Sequence, residues 1–176
     1  MGADLGAVAG EGGPPTVCFL GHSCVRKGLH LVPAIAVATR ARFPAARFEV
    51  QVNFNDDYPL RNIFDGLFDA QPDGVRFHRG HLDGGAFYEI LRRADIVLCP
   101  YARDIYRYMP SGLLREALAL GRVVVVPEGT SLERQARSVD AGFVTFGEQT
   151  PESVTRSLGA ALSQLPMLTG KARSAA

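Results

Sequence analysis

Two runs constrain the fold most: "DIVLCP" at residues 95–100 and "RVVVVP" at residues 122–127. Both are almost wholly apolar and lack the alternation of a half-exposed strand. Strands of this kind are covered on both faces, as in a parallel sheet layered between helices. Together with other β-branched runs they predict six strands, at Thr16–Leu20, Arg47–Phe54, Val75–Arg79, Asp95–Cys99, Arg122–Val126 and Gly142–Phe146. Helical patterns separate them, at Leu29–Phe43, Leu60–Ala70, Gly85–Ala94, Ser111–Leu120, Ser131–Ala141 and Pro151–Leu165. In Gly85–Ala94, for example, Phe87, Ile90, Leu91 and Ala94 form one stripe. The expected class is α/β: a Rossmann-like parallel sheet of about six strands with helices on both faces.

A chain of 176 residues, 47% of them hydrophobic, suits one domain with a sizeable core. We expect residues 1–15, rich in glycine and proline, to be a flexible arm or linker, residues 16–165 the domain, and residues 166–176 a polar tail. Such an arm is expected to follow a preceding segment. The formal net charge of +1 gives no bulk electrostatic case for nucleic acid or an anionic membrane. The longest apolar runs, "LVPAIAVA" and "VVVVP", are far shorter than the roughly 20 residues of a membrane-spanning helix, so no transmembrane segment is expected. The first 15 residues lack the basic start and long apolar stretch of a signal peptide. Cys18, Cys24 and Cys99 have no metal or redox spacing, which fits a reducing cytoplasm.

In a doubly wound sheet, ligands bind outside the carboxyl ends of the strands, where the strand order reverses. The loop after the first strand is "GHSCVRKG". Gly21 permits a turn, and Lys27 and Gly28 are expected to open the next helix, whose regular part must begin near Pro33. A helix start offers unpaired N–H groups to an anion, and a lysine adds a mobile full charge. In isolation the same residues read equally well as a solvated lysine at a helix start. The chain has 17 arginines and two lysines, so an interior lysine at this place stands out. The spacing is neither that of a P-loop nor G-x-G-x-x-G.

The loop after the fourth strand, "PYARDIYRYMPSG", is long and leads into "SGLLREALALG". Ser111 is expected to cap that helix, and Gly112 allows a ligand close to the backbone. Glu116 lies one turn on, among Leu113, Leu114, Ala117 and Leu118. A carboxylate so placed needs donors: sugar hydroxyls, or structurally Arg115, Arg122 or Lys27. In "VVVVPEGTSLERQ", Gly129, Thr130 and Ser131 either line the same crevice or form a capped turn. His78, His81 and Asp83, like Asn55, Asp56 and Asp57, lie in strand-to-loop segments and do not suggest a metal ligand set.

In order and spacing these motifs resemble the C-terminal, nucleotide-sugar-binding half of GT-B glycosyltransferases of the group 1 type, a retaining class that includes sucrose synthases and many polysaccharide and lipopolysaccharide transferases. The family's G-R-x4-K-G becomes "GHSCVRKG", with Gly21, Lys27 and Gly28 matching and His22 replacing arginine. "VRFHRGHLDGGAFYEILRRADIVLCPY" follows the family layout into the fourth strand. "EALALGRVVVVP" matches the end of the Glu-x7-Glu motif, with Glu116 as the second glutamate and Tyr108 where the first should stand. The likeness covers about residues 16–160.

This resemblance implies that Lys27 binds the diphosphate of a nucleotide-sugar donor and Glu116 its ribose, with Gly21, His22, Gly28, Ser111 and Gly112 completing the site. Lys27 and Glu116 would be the two residues on which catalysis depends. No metal or other cofactor is expected, because cations and helix-start amides can stabilise the departing diphosphate. The partners implied are a nucleotide-sugar and a saccharide or lipid-linked acceptor held by a separate N-terminal domain. The implied setting is polysaccharide biosynthesis in the cytoplasm, with contact to the inner membrane made through parts outside this chain. His22 and Tyr108 favour a second reading, a degenerate non-catalytic nucleotide-binding or interaction domain. A dehydrogenase is disfavoured by the missing glycine fingerprint and the missing acidic residue after the second strand.

Overall fold

The structure is a computed structural model describing residues 13–54, 61–70 and 72–176. All six expected strands are present: β1 (Thr16–Phe19), β2 (Arg47–Val52), β3 (Val75–Arg79), β4 (Ile96–Leu98), β5 (Val123–Pro127) and β6 (Phe143–Phe146). They form one parallel sheet in the order β3-β2-β1-β4-β5-β6. The two runs that fixed the fold class behave as their composition requires: Ile96, Val97 and Leu98 in β4 and Val123 to Val126 in β5 are fully buried.

Eight helices flank the sheet among the described residues: α1 (Val32–Arg42), α2 (Arg61–Ala70), α3 (Gly84–Arg93), α4 (Arg103–Tyr106), α5 (Gly112–Ala119), α6 (Ser131–Ser138), α7 (Pro151–Ser163) and α8 (Leu165–Ala175). Asn55, Asp56, Asp57, the expected helix start at Leu60 and most of the expected arm lie outside the described residues.

Three differences from the sequence expectations have physical causes. First, the regular helix begins near Pro33 as expected, but Lys27 and Gly28 do not open it. Val25–Lys27 and Leu29–Leu31 form two 3₁₀ turns, and α1 begins at Val32 with Pro33 in its first turn. Gly28 separates the turns in the left-handed region at φ 77°, and a Cβ there would lie 2.2 Å from the Pro100 carbonyl oxygen. Second, α4 is a short helix within the long loop after β4. Third, the stretch read as a tail after residue 165 is helical. α8 buries Leu168 and Ala172, and it approaches so closely that a Cβ on Gly142 would lie 2.0 Å from the Leu168 carbonyl oxygen. Leu165, Leu168 and Ala172 have helical spacing, so the signal was present in a segment that otherwise reads as polar.

Strand order reverses between β1 and β4: the chain leaves β1 toward β2 on one side and leaves β4 toward β5 on the other. The loops carrying Lys27 and Ser111 therefore diverge from adjacent strands and border the crevice where α/β sheets bind ligands.

Candidate functional site

The loop after β1 is held by its neighbours. The Gly21 N–H donates to Gln51 Oε1 at 2.8 Å, and Gln51 Nε2 donates to the Gly80 carbonyl at 3.1 Å. One buried amide thus joins the loops after β1 and β3 with both of its polar ends satisfied. Buried Ser23 adds a second anchor: its Oγ donates to the Gln51 carbonyl at 3.1 Å and accepts from the Asn53 N–H at 2.9 Å. Neither residue stands out as a site feature in the sequence. The available signal was a glutamine in a strand whose neighbours leave it no solvent.

Lys27 follows on the first 3₁₀ turn. Its Nζ lies 3.4 Å from where a Gly21 Cβ would stand and 5.7 Å from the Tyr101 ring centroid. The side chain is half-buried, and no described carboxylate forms an ion pair with it. Burial lowers its pKa from the usual lysine value. A cation held in this way is short of counter-charge. His22, on the same loop, is exposed.

Tyr101 connects this loop to the next. Its ring is fully buried beneath Lys27 and packs on Tyr106 with centroids 4.5 Å apart. Its hydroxyl faces Ser111 and Cys99 without a well-formed hydrogen bond, and burial pushes the phenol well above the usual tyrosine value. Burial also pushes the neighbouring Cys99 thiol up to about 12, which leaves it unreactive. Tyr101 therefore places Lys27 and the start of α5 on one shared side chain. Ser111 caps α5, its Oγ accepting from the Leu114 N–H at 3.3 Å, and Gly112 is exposed at the helix start. The N–H groups of that first turn lack partners within the helix, apart from the one the cap satisfies.

Glu116 is half-buried one turn on. None of the three cations considered from the sequence pairs with it. Its Oε2 accepts from the Tyr88 hydroxyl of α3 at 2.8 Å. Arg122 instead donates to the carbonyls of Leu120 and Ala94, at 2.8 and 3.1 Å. Tyr108 is 79% exposed, with the Arg107 and Arg134 guanidinium carbons 5.9 and 6.0 Å from its ring centroid.

The remaining candidates have structural partners. Thr130 caps α6, and Gly129 sits against the Arg103 guanidinium, which links that turn to α4. His78 Nε2 lies 2.5 Å from Glu49 Oε2, and Asp83 caps α3 by accepting from the Ala86 N–H at 2.8 Å. A cavity of about 440 Å³ lies between the end of α6 and α8, at the opposite end of the sheet from Lys27. A smaller one of about 130 Å³ lies beside the ends of β2 and β3. Lys27, Ser111 and Glu116 line neither of these two cavities.

No family model matches the sequence, and no curated protein matches it either. Solved structures do match. Sucrose-phosphate synthase from Thermosynechococcus elongatus superposes over 92% of this chain with a TM-score of 0.69 and 19% identity, and this chain spans only 39% of that one. The catalytic domain of starch synthase IV from Arabidopsis thaliana, bound to ADP and acarbose, gives a TM-score of 0.72 at 16% identity, over 97% of this chain and 36% of its own. The C-terminal domain of a glycosyl transferase group 1 family protein from Francisella tularensis matches end to end, with 99% of this chain, 96% of that one, a TM-score of 0.71 and 15% identity. Over nearly its whole length the chain is thus similar in structure to the C-terminal domain of group 1 glycosyltransferases, and its fold is that of one half of a GT-B enzyme.

Proposed function

We propose that this chain is the donor-binding half of a glycosyltransferase and binds a nucleotide-sugar along the rim between β1 and β4. The observation that carries this reading is Lys27, a half-buried ammonium without a carboxylate partner among the described residues, beside the capped start of α5 at the strand-order reversal. Lys27 and the amides at Ser111 and Gly112 receive the diphosphate, Glu116 receives the ribose hydroxyls, and Gly21, His22 and Gly28 shape the turn around the phosphates. In transfer, the bond from the sugar's anomeric carbon to the diphosphate oxygen breaks and negative charge collects on the departing diphosphate. A fixed cation and oriented N–H groups stabilise that charge without reorganising. The acceptor, a saccharide or lipid-linked saccharide, is held by a second half across the cleft. This chain alone is expected to bind donor without transferring sugar.

Calorimetric titration with UDP, GDP and ADP tests the reading. One of them is expected to bind and to weaken about 10–100-fold in Lys27→Ala, the range for losing a charged hydrogen bond. Binding of none of the three would overturn the donor-site reading. It would instead favour a degenerate interaction domain, to which exposed Tyr108, standing where the resemblance expects a glutamate, already points.

A further inference from the structure

We propose that Tyr88 is a positioning residue for Glu116: its phenol holds the carboxylate oriented toward the ribose hydroxyls of the donor. This role rests on the donor-site reading above. The two residues are 28 positions apart and sit on different helices, yet the Tyr88 hydroxyl donates to Glu116 Oε2 at 2.8 Å. Both helices are fixed. α3 is capped by Asp83 and buries Ile90 and Leu91, and α5 is capped by Ser111 and buries Leu114 and Ala117.

The pairing suits a carboxylate that must receive neutral hydroxyls. A half-buried glutamate side chain has several rotors, and ordering them on binding would weaken affinity. A tyrosine has two, and the Tyr88 ring is braced edge-on against Phe87, with centroids 5.5 Å apart at 87°. An arginine or lysine in the same place would neutralise the carboxylate and compete for both oxygens. A phenol occupies one of about four acceptor positions and leaves Oε1 open. Acceptance by Glu116 also raises the Tyr88 pKa, so its proton stays on the oxygen. Arg122 is committed to backbone carbonyls, and among the described residues neither Arg115 nor Arg92, one turn from Tyr88, forms an ion pair with Glu116.

The test titrates UDP, GDP and ADP, and the 2′-deoxy form of whichever binds, into the wild-type chain, Tyr88→Phe, Glu116→Gln and the double variant. The wild type is expected to prefer the ribonucleotide by roughly 10-fold. Tyr88→Phe should narrow that preference to roughly 3-fold while leaving affinity for the deoxynucleotide unchanged. The double variant should behave like Glu116→Gln alone, because Tyr88 acts only through Glu116. Tyr88→Phe with the full wild-type preference, or with both nucleotides weakened equally, would overturn the positioning role and leave the donor site standing. A preference that survives Glu116→Gln would overturn both Glu116's ribose role and that of Tyr88, and binding of no nucleotide would overturn the donor site with them.

Discussion

The two ends of the sheet use charge in opposite ways. At the amino end, Arg122 donates to the carbonyls of Leu120 and Ala94. That charge closes the chain on itself, and α8 packs over that end against β5, α5 and α7. At the carboxyl end, Lys27 is half-buried without a carboxylate partner among the described residues, and Ser111 caps the start of α5. A charge that is satisfied by backbone supports folding. A charge kept short of partners costs stability, and it persists where an external partner offsets that cost.

This contrast predicts that variants at the two ends separate stability from binding. The largest effect is expected from Gly142→Val, which places a side chain against the Leu168 carbonyl and undocks α8. Urea unfolding should show a loss of about 3 kcal/mol, and an unchanged midpoint would mean that α8 contributes little. Lys27→Ala should do the reverse, with stability within about 0.5 kcal/mol of wild type and the nucleotide weakened as above. Gln51→Leu should affect both, because it strips the partners from the Gly21 N–H and the Gly80 carbonyl. We expect a loss of about 2 kcal/mol in stability and weaker nucleotide binding.

The pH dependence of binding sharpens the same contrast. Burial lowers the Lys27 pKa, and only the protonated form attracts diphosphate. Affinity should therefore fall as pH rises through that lowered pKa, before ordinary lysines titrate. Lys27→Arg should remove the fall, since arginine stays charged. A profile identical in the two proteins would place the titrating group elsewhere. The smallest effect is expected for His22→Arg, which supplies the cation of the family pattern and should tighten nucleotide binding by roughly 3-fold at neutral pH.

The sheet was legible because burial on both faces leaves a direct mark on composition, as in β4 and β5. Lys27 and Ser111 were legible as candidates because strand-to-helix loops in this class carry ligands, and Glu116 because it is a carboxylate among apolar neighbours on the helix that follows. What escaped depended on pairings between distant residues. Gln51 reaches Gly21 across 30 positions and Tyr88 reaches Glu116 across 28, and neither pairing leaves a local periodicity. The 3₁₀ turns around Gly28 escaped for a similar reason: the Pro100 carbonyl that crowds Gly28 comes from the loop after the neighbouring strand β4, not from its own loop.

The Gln51 bridge has a consequence for the thermodynamics of recognition. Because one amide ties the loops after β1 and β3 together, the two are ordered as a unit before any ligand arrives. A nucleotide that settles on this rim meets a surface whose conformational entropy was already lost in folding. Calorimetry on the wild-type chain should then show a small entropic penalty, and Gln51→Leu should enlarge that penalty more than it reduces the binding enthalpy.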